Sequence, residues 1–200
     1  EGEATVWVHT FVTAVYFTPL LGSFLADAIW GRYKTIIYLS VIYCLGHLSL
    51  AIDESRYGLM IGLSLIAIGA GGIKGCVSAH VGDQFCKENS NLLEKVYGWF
   101  YLSINLGAFI STILTPWLLK NYGPGIAFGV PGILMFIATL VFWFGRNDFA
   151  HIAPRGREFI SETFSALGLK TMSKLMVIYL MVAMFWALFD QTASKWVFQA

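Results

Sequence analysis

The chain has 200 residues, of which 57% are hydrophobic and only 12% charged, with a formal net charge of +1 and a mean hydropathy of +0.67. A soluble domain carries about twice that charged fraction, so composition excludes an ordinary globular protein and predicts an all-α polytopic membrane protein. The near-zero net charge gives no support for nucleic acid binding, and Cys44, Cys76 and Cys86 are spaced for neither a disulfide framework nor a metal site.

In chain order, Glu1-Gly2-Glu3 leads straight into an apolar run, without the basic start of a signal peptide. The last apolar run reaches Ala200, and these abrupt ends predict an excerpt of a longer chain. A hydrocarbon core of ~30 Å needs about 20 helical residues. Six segments fit: roughly 5–26, 35–52, 58–80, 96–119, 125–145 and 175–198. The second is short by this rule, so its ends are expected to extend into the interface. None alternates with period two, and backbone groups in lipid must be satisfied internally, so helices are expected rather than strands.

The connections set the orientation. Counting 27–34 as side A, that side receives Arg32, Lys34, Lys87, Lys95, Arg146, Arg155, Arg157, Lys170 and Lys174, whereas the other receives Arg56 and Lys120. Nine against two is a positive-inside bias, so the connections around 27–34, 81–95 and 146–174 are expected to be cytoplasmic. Residues 146–174 read as a connector between helix groups with a short interfacial helix. The spans within 1–145 form one group, and 175–200 begins another.

Ionisable residues inside spans carry the functional reading. Lys74 lies in Gly69-Ala70-Gly71-Gly72-Ile73-Lys74-Gly75. A charge at this depth usually faces a bundle interior or an aqueous cavity, the bland alternative being a lysine that snorkels to the interface. Its glycines permit close helix approach. Asp190, in Phe189-Asp190-Gln191-Thr192, would have its proton affinity raised by desolvation and lowered by a nearby cation. It is either a proton carrier or half of a static ion pair. Tyr101 and Asn105 are four apart and share a helical face; with Tyr16 they are candidates for a cavity wall or for ordinary packing. His9, His47 and His80 near span ends lack metal spacing. The stretch Gly22–Lys34 joins small residues to Asp27 and Arg32, either as a charged latch or as a plain topological turn.

Four stretches then carry a family resemblance: Gly22-x4-Asp27-x3-Gly31-Arg32, GAGGIKGCVSAHVGDQF at Gly69–Phe85, FYLSINLGAF at Phe100–Phe109, and FWALFDQTASKW at Phe185–Trp196. Together and in this order they resemble the proton-dependent oligopeptide transporter (POT/PTR) family of the major facilitator superfamily. The resemblance implies a major facilitator fold of two six-helix bundles, with this chain similar to transmembrane helices 2–7. Residues 1–145 would be most of the N-terminal bundle, 146–174 the connector, and 175–200 the first helix of the C-terminal bundle. Helix 1, with the family's Glu-x-x-Glu-Arg proton-coupling motif, would lie outside the chain.

Carried over by position, the resemblance implies that Lys74 and Asp190 couple protons and that Tyr16, Lys74, Tyr101 and Asn105 contact substrate. Asp27, Arg32 and Gly75 would serve gating. Gly75 stands where the family usually has proline. Proline fixes a bend and removes a donor, whereas glycine only permits one, so a looser hinge is expected. The implied activity is proton-coupled symport of di- and tripeptides by alternating access, in an inner or plasma membrane, with lipid and protons as partners and no cofactor. Two alternatives stay open: a relative carrying nitrate or an organic acid, and a non-transporting sensor or structural protein. No nucleophile–base arrangement suggests an enzyme.

Overall fold

The computed structural model describes residues 2–189. Helices α1 (Gly2–Leu25), α2 (Arg32–Ile52), α3 (Arg56–Gly82), α4 (Leu93–Tyr122) and α5 (Pro124–Phe144) precede a short α6 (Arg157–Thr163) and a long α7 (Ala166–Phe189). Contacts divide the chain into two compact units, Glu1–Pro154 and Arg155–Ala200. Among the described residues, six helices are long and apolar enough to cross a membrane. Each is apolar nearly all round, so it needs lipid or another helix on every side.

Three boundaries depart from the expectations, each for a local reason. The predicted connection 27–34 is helical apart from Gly31: α1 runs on through a π-helical turn, Ala26–Trp30, and α2 starts at Arg32. The switch is at Gly31, whose φ of +80° suits a residue without Cβ. Its N–H donates to Ala26 O at 2.9 Å, closing the wide turn. Starting at Arg32 also gives α2 21 residues, which removes the apparent shortness of the second span. Finally, α7 starts at Ala166 rather than 175, so Lys170 and Lys174 are helical. Ser165 Oγ accepts the Gly168 N–H at 3.0 Å and caps this start. Lysines lower hydropathy but are good helix formers, so apolarity placed the start too late. The stretch 146–174 contains the short helix α6 and the first turns of α7.

The turn between α2 and α3 is built from side chains. Asp53 Oδ1 accepts the Ser55 N–H at 2.8 Å, and Ser55 Oγ accepts the Gly58 N–H at 3.1 Å as the α3 N-cap. The hydrogen bonds from Ser55 hold the Asp53 carboxyl below the usual carboxylate range.

Within the first unit α3 packs against both α1 and α2, α5 against α2, and α4 against α5. Close approach depends on absent side chains. A Cβ on Gly69 would lie 2.7 Å from Tyr43 N, and one on Gly46 2.9 Å from Gly62 O, so α2 and α3 meet backbone to backbone. On the other face of α3, a Cβ on Gly22 would run into the main chain of Gly72. Thr18 Oγ1 closes that seam with a 2.8 Å hydrogen bond to Ala67 O. This is the small-residue packing that replaces hydrophobic drive between helices in lipid. Cys76 is buried with Ala26 and Ile36, and Val77 and Phe142 pack against them.

The seam gives a paired prediction. Gly22→Ala must push main chain away from main chain, an overpacking cost of about 1–3 kcal/mol. Gly75→Ala meets only the Ser23 hydroxyl, at 2.6 Å, which can rotate aside. Thermal unfolding of the full-length protein in detergent should therefore drop further for Gly22→Ala than for Gly75→Ala; equal losses would contradict this seam.

Candidate functional site

Lys74 and Tyr16 are brought together across the seam between α1 and α3. The Lys74 ammonium lies 5.7 Å from the centroid of the Tyr16 ring, within cation–π reach. Both side chains are exposed, Tyr16 by 65%, on the open side of the helix pair. Lys74 makes no ion pair among the described residues. Helix α3 runs unbroken through Gly75, which faces α1 at Ser23. In this conformation, then, Gly75 is a place of close approach within a continuous helix.

Tyr101 and Asn105 share a face of α4, as their spacing predicts. The Asn105 side-chain amide donates to Tyr101 O at 2.8 Å, and Tyr101 is 57% exposed. No hydrogen bond, ion pair or ring contact among the described residues joins this pair to Lys74 or Tyr16. What relates the two helices is a residue that sequence reasoning missed. Tyr97 Oη donates to Ser78 O at 2.8 Å, and the Tyr97 ring lies 6.5 Å from that of Tyr101. Ser78 is one turn from Lys74 and Tyr97 one turn from Tyr101, so this hydrogen bond ties together the two helix segments that carry the candidates. The only sequence signal was Tyr97 at four-residue spacing from Tyr101. Asp190 lies outside the described residues.

The charged stretch at the other candidate position forms a three-member cluster. The π-helical turn and the break at Gly31 bring Asp27 within reach of Arg32, whose Nε lies 3.3 Å from Asp27 Oδ1. Through Nη1 the same guanidinium also pairs with Oδ1 of Asp83, at the end of α3. Arg32 therefore fastens the α1–α2 corner to α3. Asp83 lies within the quoted glycine-rich stretch but was not read as a latch residue, because its partner is 51 positions away.

An aromatic box flanks this cluster. Tyr33 stacks on Phe142 at 5.2 Å and meets His151 edge-on at 4.8 Å, while His80 lies 5.3 Å from Phe149. The chain after α5 is clasped there: Ala150 N–H donates to Gln84 Oε1 at 2.8 Å. Four elements (α2, α3, α5 and the strand of chain at 149–152) thus converge on the Arg32 end of the unit.

Comparison with known proteins places this arrangement. The profile of the POT family (PTR2) matches residues 33–169, more than half of the chain. The chain belongs to the POT family. Solute carrier family 15 member 2 of mouse (Mus musculus) is 36% identical over all of this chain and 34% of its own length. Solute carrier family 15 member 1 of rat (Rattus norvegicus) is 35% identical, with 98% of this chain and 36% of that protein covered. The chain therefore spans about a third of the length of these relatives. Among solved structures, the POT family transporter PepTSo is 51% identical at a TM-score of 0.72, covering 74% of this chain and 29% of its own. An auto-inhibited POT family peptide transporter is 50% identical at a TM-score of 0.70, covering 72% and 29%.

These POT neighbours are transporters rather than enzymes, and the helices described here are part of the major facilitator fold. In this POT chain the Asp27–Arg32–Asp83 cluster has an uneven energetic weight. Asp83 is only 10% exposed at its side chain, against 29% for Asp27. Removing the guanidinium strands a nearly buried carboxylate, a loss that reaches about 3–5 kcal/mol for fully buried pairs. Removing the Asp27 charge breaks a pair open to solvent, worth about 1 kcal/mol or less. Arg32→Gln should accordingly lower the thermal midpoint of the full-length protein well below that of Asp27→Asn. Equal midpoints would show that Asp83 is not held by Arg32.

Proposed function

We propose that the protein to which this chain belongs is a proton-coupled symporter of di- and tripeptides that works by alternating access. The observation that carries the reading is Lys74: an exposed ammonium on the open side of the α1–α3 seam, beside Tyr16 and without an acidic partner among the described residues. A static sensor would neutralise such a charge with a fixed counter-ion, because an uncompensated charge at membrane depth is costly. A carrier leaves it available for the carboxylate of its solute. The peptide class is supported by the 50% identical peptide transporter.

On this reading the peptide carboxylate pairs with Lys74 and stacks its neighbourhood against Tyr16. Tyr101 and Asn105, on the helix tied to α3 through Tyr97, receive another polar end. Asp27 and Arg32, joined by Asp83, form the latch that parts when the Arg32 end opens, and Gly75 allows α3 to move against α1. Protons act through Lys74 and Asp190 without any cofactor. Residues 1–145 then belong to the N-terminal bundle, with α7 opening the C-terminal one. The basic bias puts the Arg32 end in the cytoplasm of an inner or plasma membrane. A potential of 100 mV supplies ~2.3 kcal/mol per charge, enough to accumulate peptide roughly 50-fold.

Dipeptide uptake by the full-length protein in proteoliposomes tests this. An inward proton gradient should drive accumulation that a protonophore abolishes. Lys74→Ala should cut it at least tenfold while Lys34→Gln, remote from the site, leaves it unchanged, and Asp190→Asn should uncouple it from the gradient. Folded protein that moves no di- or tripeptide sinks the assignment. Uptake that ignores the gradient sinks the coupling alone.

A further inference from the structure

A groove of about 820 Å³ runs between α2 and α5, well away from Lys74. Its walls are apolar side chains such as Ile37, Val41, Leu45, Ile133, Phe136 and Trp143, with Gly129 and Gly132 among its lining. It lies within two of the candidate spans, Arg32–Ile52 and Pro124–Asn147. Polar groups along it are already engaged in part by the protein: Thr139 Oγ1 donates to Met135 O at 2.8 Å, and His47 Nδ1 lies 2.8 Å from Phe128 O. Hydrocarbon fits this depth.

One mouth of the groove is different. Helix α2 begins and α5 ends there, and each supplies a cation. Lys34 is exposed and lies three and seven residues before Ile37 and Val41, hence on the groove face of α2. Arg146 holds its guanidinium 4.0 Å over the ring of Trp143, a wall residue, and donates to Trp143 O at 3.2 Å. Neither Lys34 nor Arg146 forms an ion pair among the described residues. Trp30 and Tyr38 pair edge to face at 5.3 Å near the same end of α2, and with Trp143 they supply the aromatic residues favoured at a membrane interface.

We propose that this groove binds an anionic phospholipid, with an acyl chain along α2 and α5 and the phosphate between Lys34 and Arg146. The charge at the mouth chooses the occupant. A transmembrane helix would bring apolar surface but no anion to the two cations, whereas a phospholipid brings both parts at the right separation along the membrane normal. An acyl chain gains little on moving from bilayer into groove, since both are hydrocarbon. Selectivity therefore resides in the headgroup, each basic residue near an anionic headgroup contributing about fivefold. The site is independent of which solute is carried.

The test uses the full-length protein in nanodiscs containing phosphatidylglycerol or phosphatidylcholine with a photoreactive acyl chain, followed by mapping of the labelled peptides. Phosphatidylglycerol should label the groove residues of α2 and α5 at least fivefold more than phosphatidylcholine. Lys34→Gln with Arg146→Gln should erase that preference without changing phosphatidylcholine labelling or the thermal midpoint. Both substitutions are at side chains outside the helix seams, and each single variant should give an intermediate preference. Equal labelling by the two lipids overturns the proposal, as does a preference that survives the double substitution. So does a groove left unlabelled while the rest of the lipid-facing surface reacts, which would mean that protein covers it.

Discussion

Everything described in the first unit depends on how closely α3 approaches α1 and α2. Lipid tails are as apolar as leucine, so helices in a bilayer gain little from hiding apolar surface and must gain from contact itself. The glycines of α3 and its neighbours allow main chain to meet main chain at Gly22 and Gly72, at Gly46 and Gly62, and at Gly69 and Tyr43. Lys74 is on the helix so held, one residue from the Gly75 contact with Ser23. Its ammonium lies over the Tyr16 ring of α1. Packing and site chemistry thus share one stretch of sequence.

The C-terminal end of α3 is held differently. There Arg32 serves two carboxylates from different helices, and the aromatic box carries the start of the connector on top of them. Such an arrangement is firm as long as the guanidinium stays, because Asp83 is nearly out of water. The two kinds of contact, main chain against main chain and charge against charge, lie on one helix.

The outer face follows the same economy of small residues. Gly132 brings α5 close to α2 at His47 and Gly129 does so at Ala51, and both line the groove with Lys34 and Arg146 at its mouth. The lipid proposed there would hold α2 and α5 at the end where the latch lies, through the membrane rather than through the protein.

Apolar length and charge asymmetry in the sequence by themselves determined the helical membrane class and the six spans, because both follow from the thickness and dielectric of the bilayer whatever the tertiary contacts. The quoted motifs determined the family and drew attention to Lys74, Tyr16, Tyr101, Asn105, Asp27 and Arg32. Local rules that hydropathy does not register moved the boundaries: the Ser165 cap set the start of α7, and the π-helical turn ending at Gly31 turned a presumed loop into helix. Only the tertiary structure decided that Asp83 shares Arg32 with Asp27, that Tyr97 fastens α4 to Ser78, and that Lys34 and Arg146 flank one groove. Each of these joins residues far apart in the chain, and pairing at such separation is fixed by which helices pack, information that no window of neighbouring residues contains.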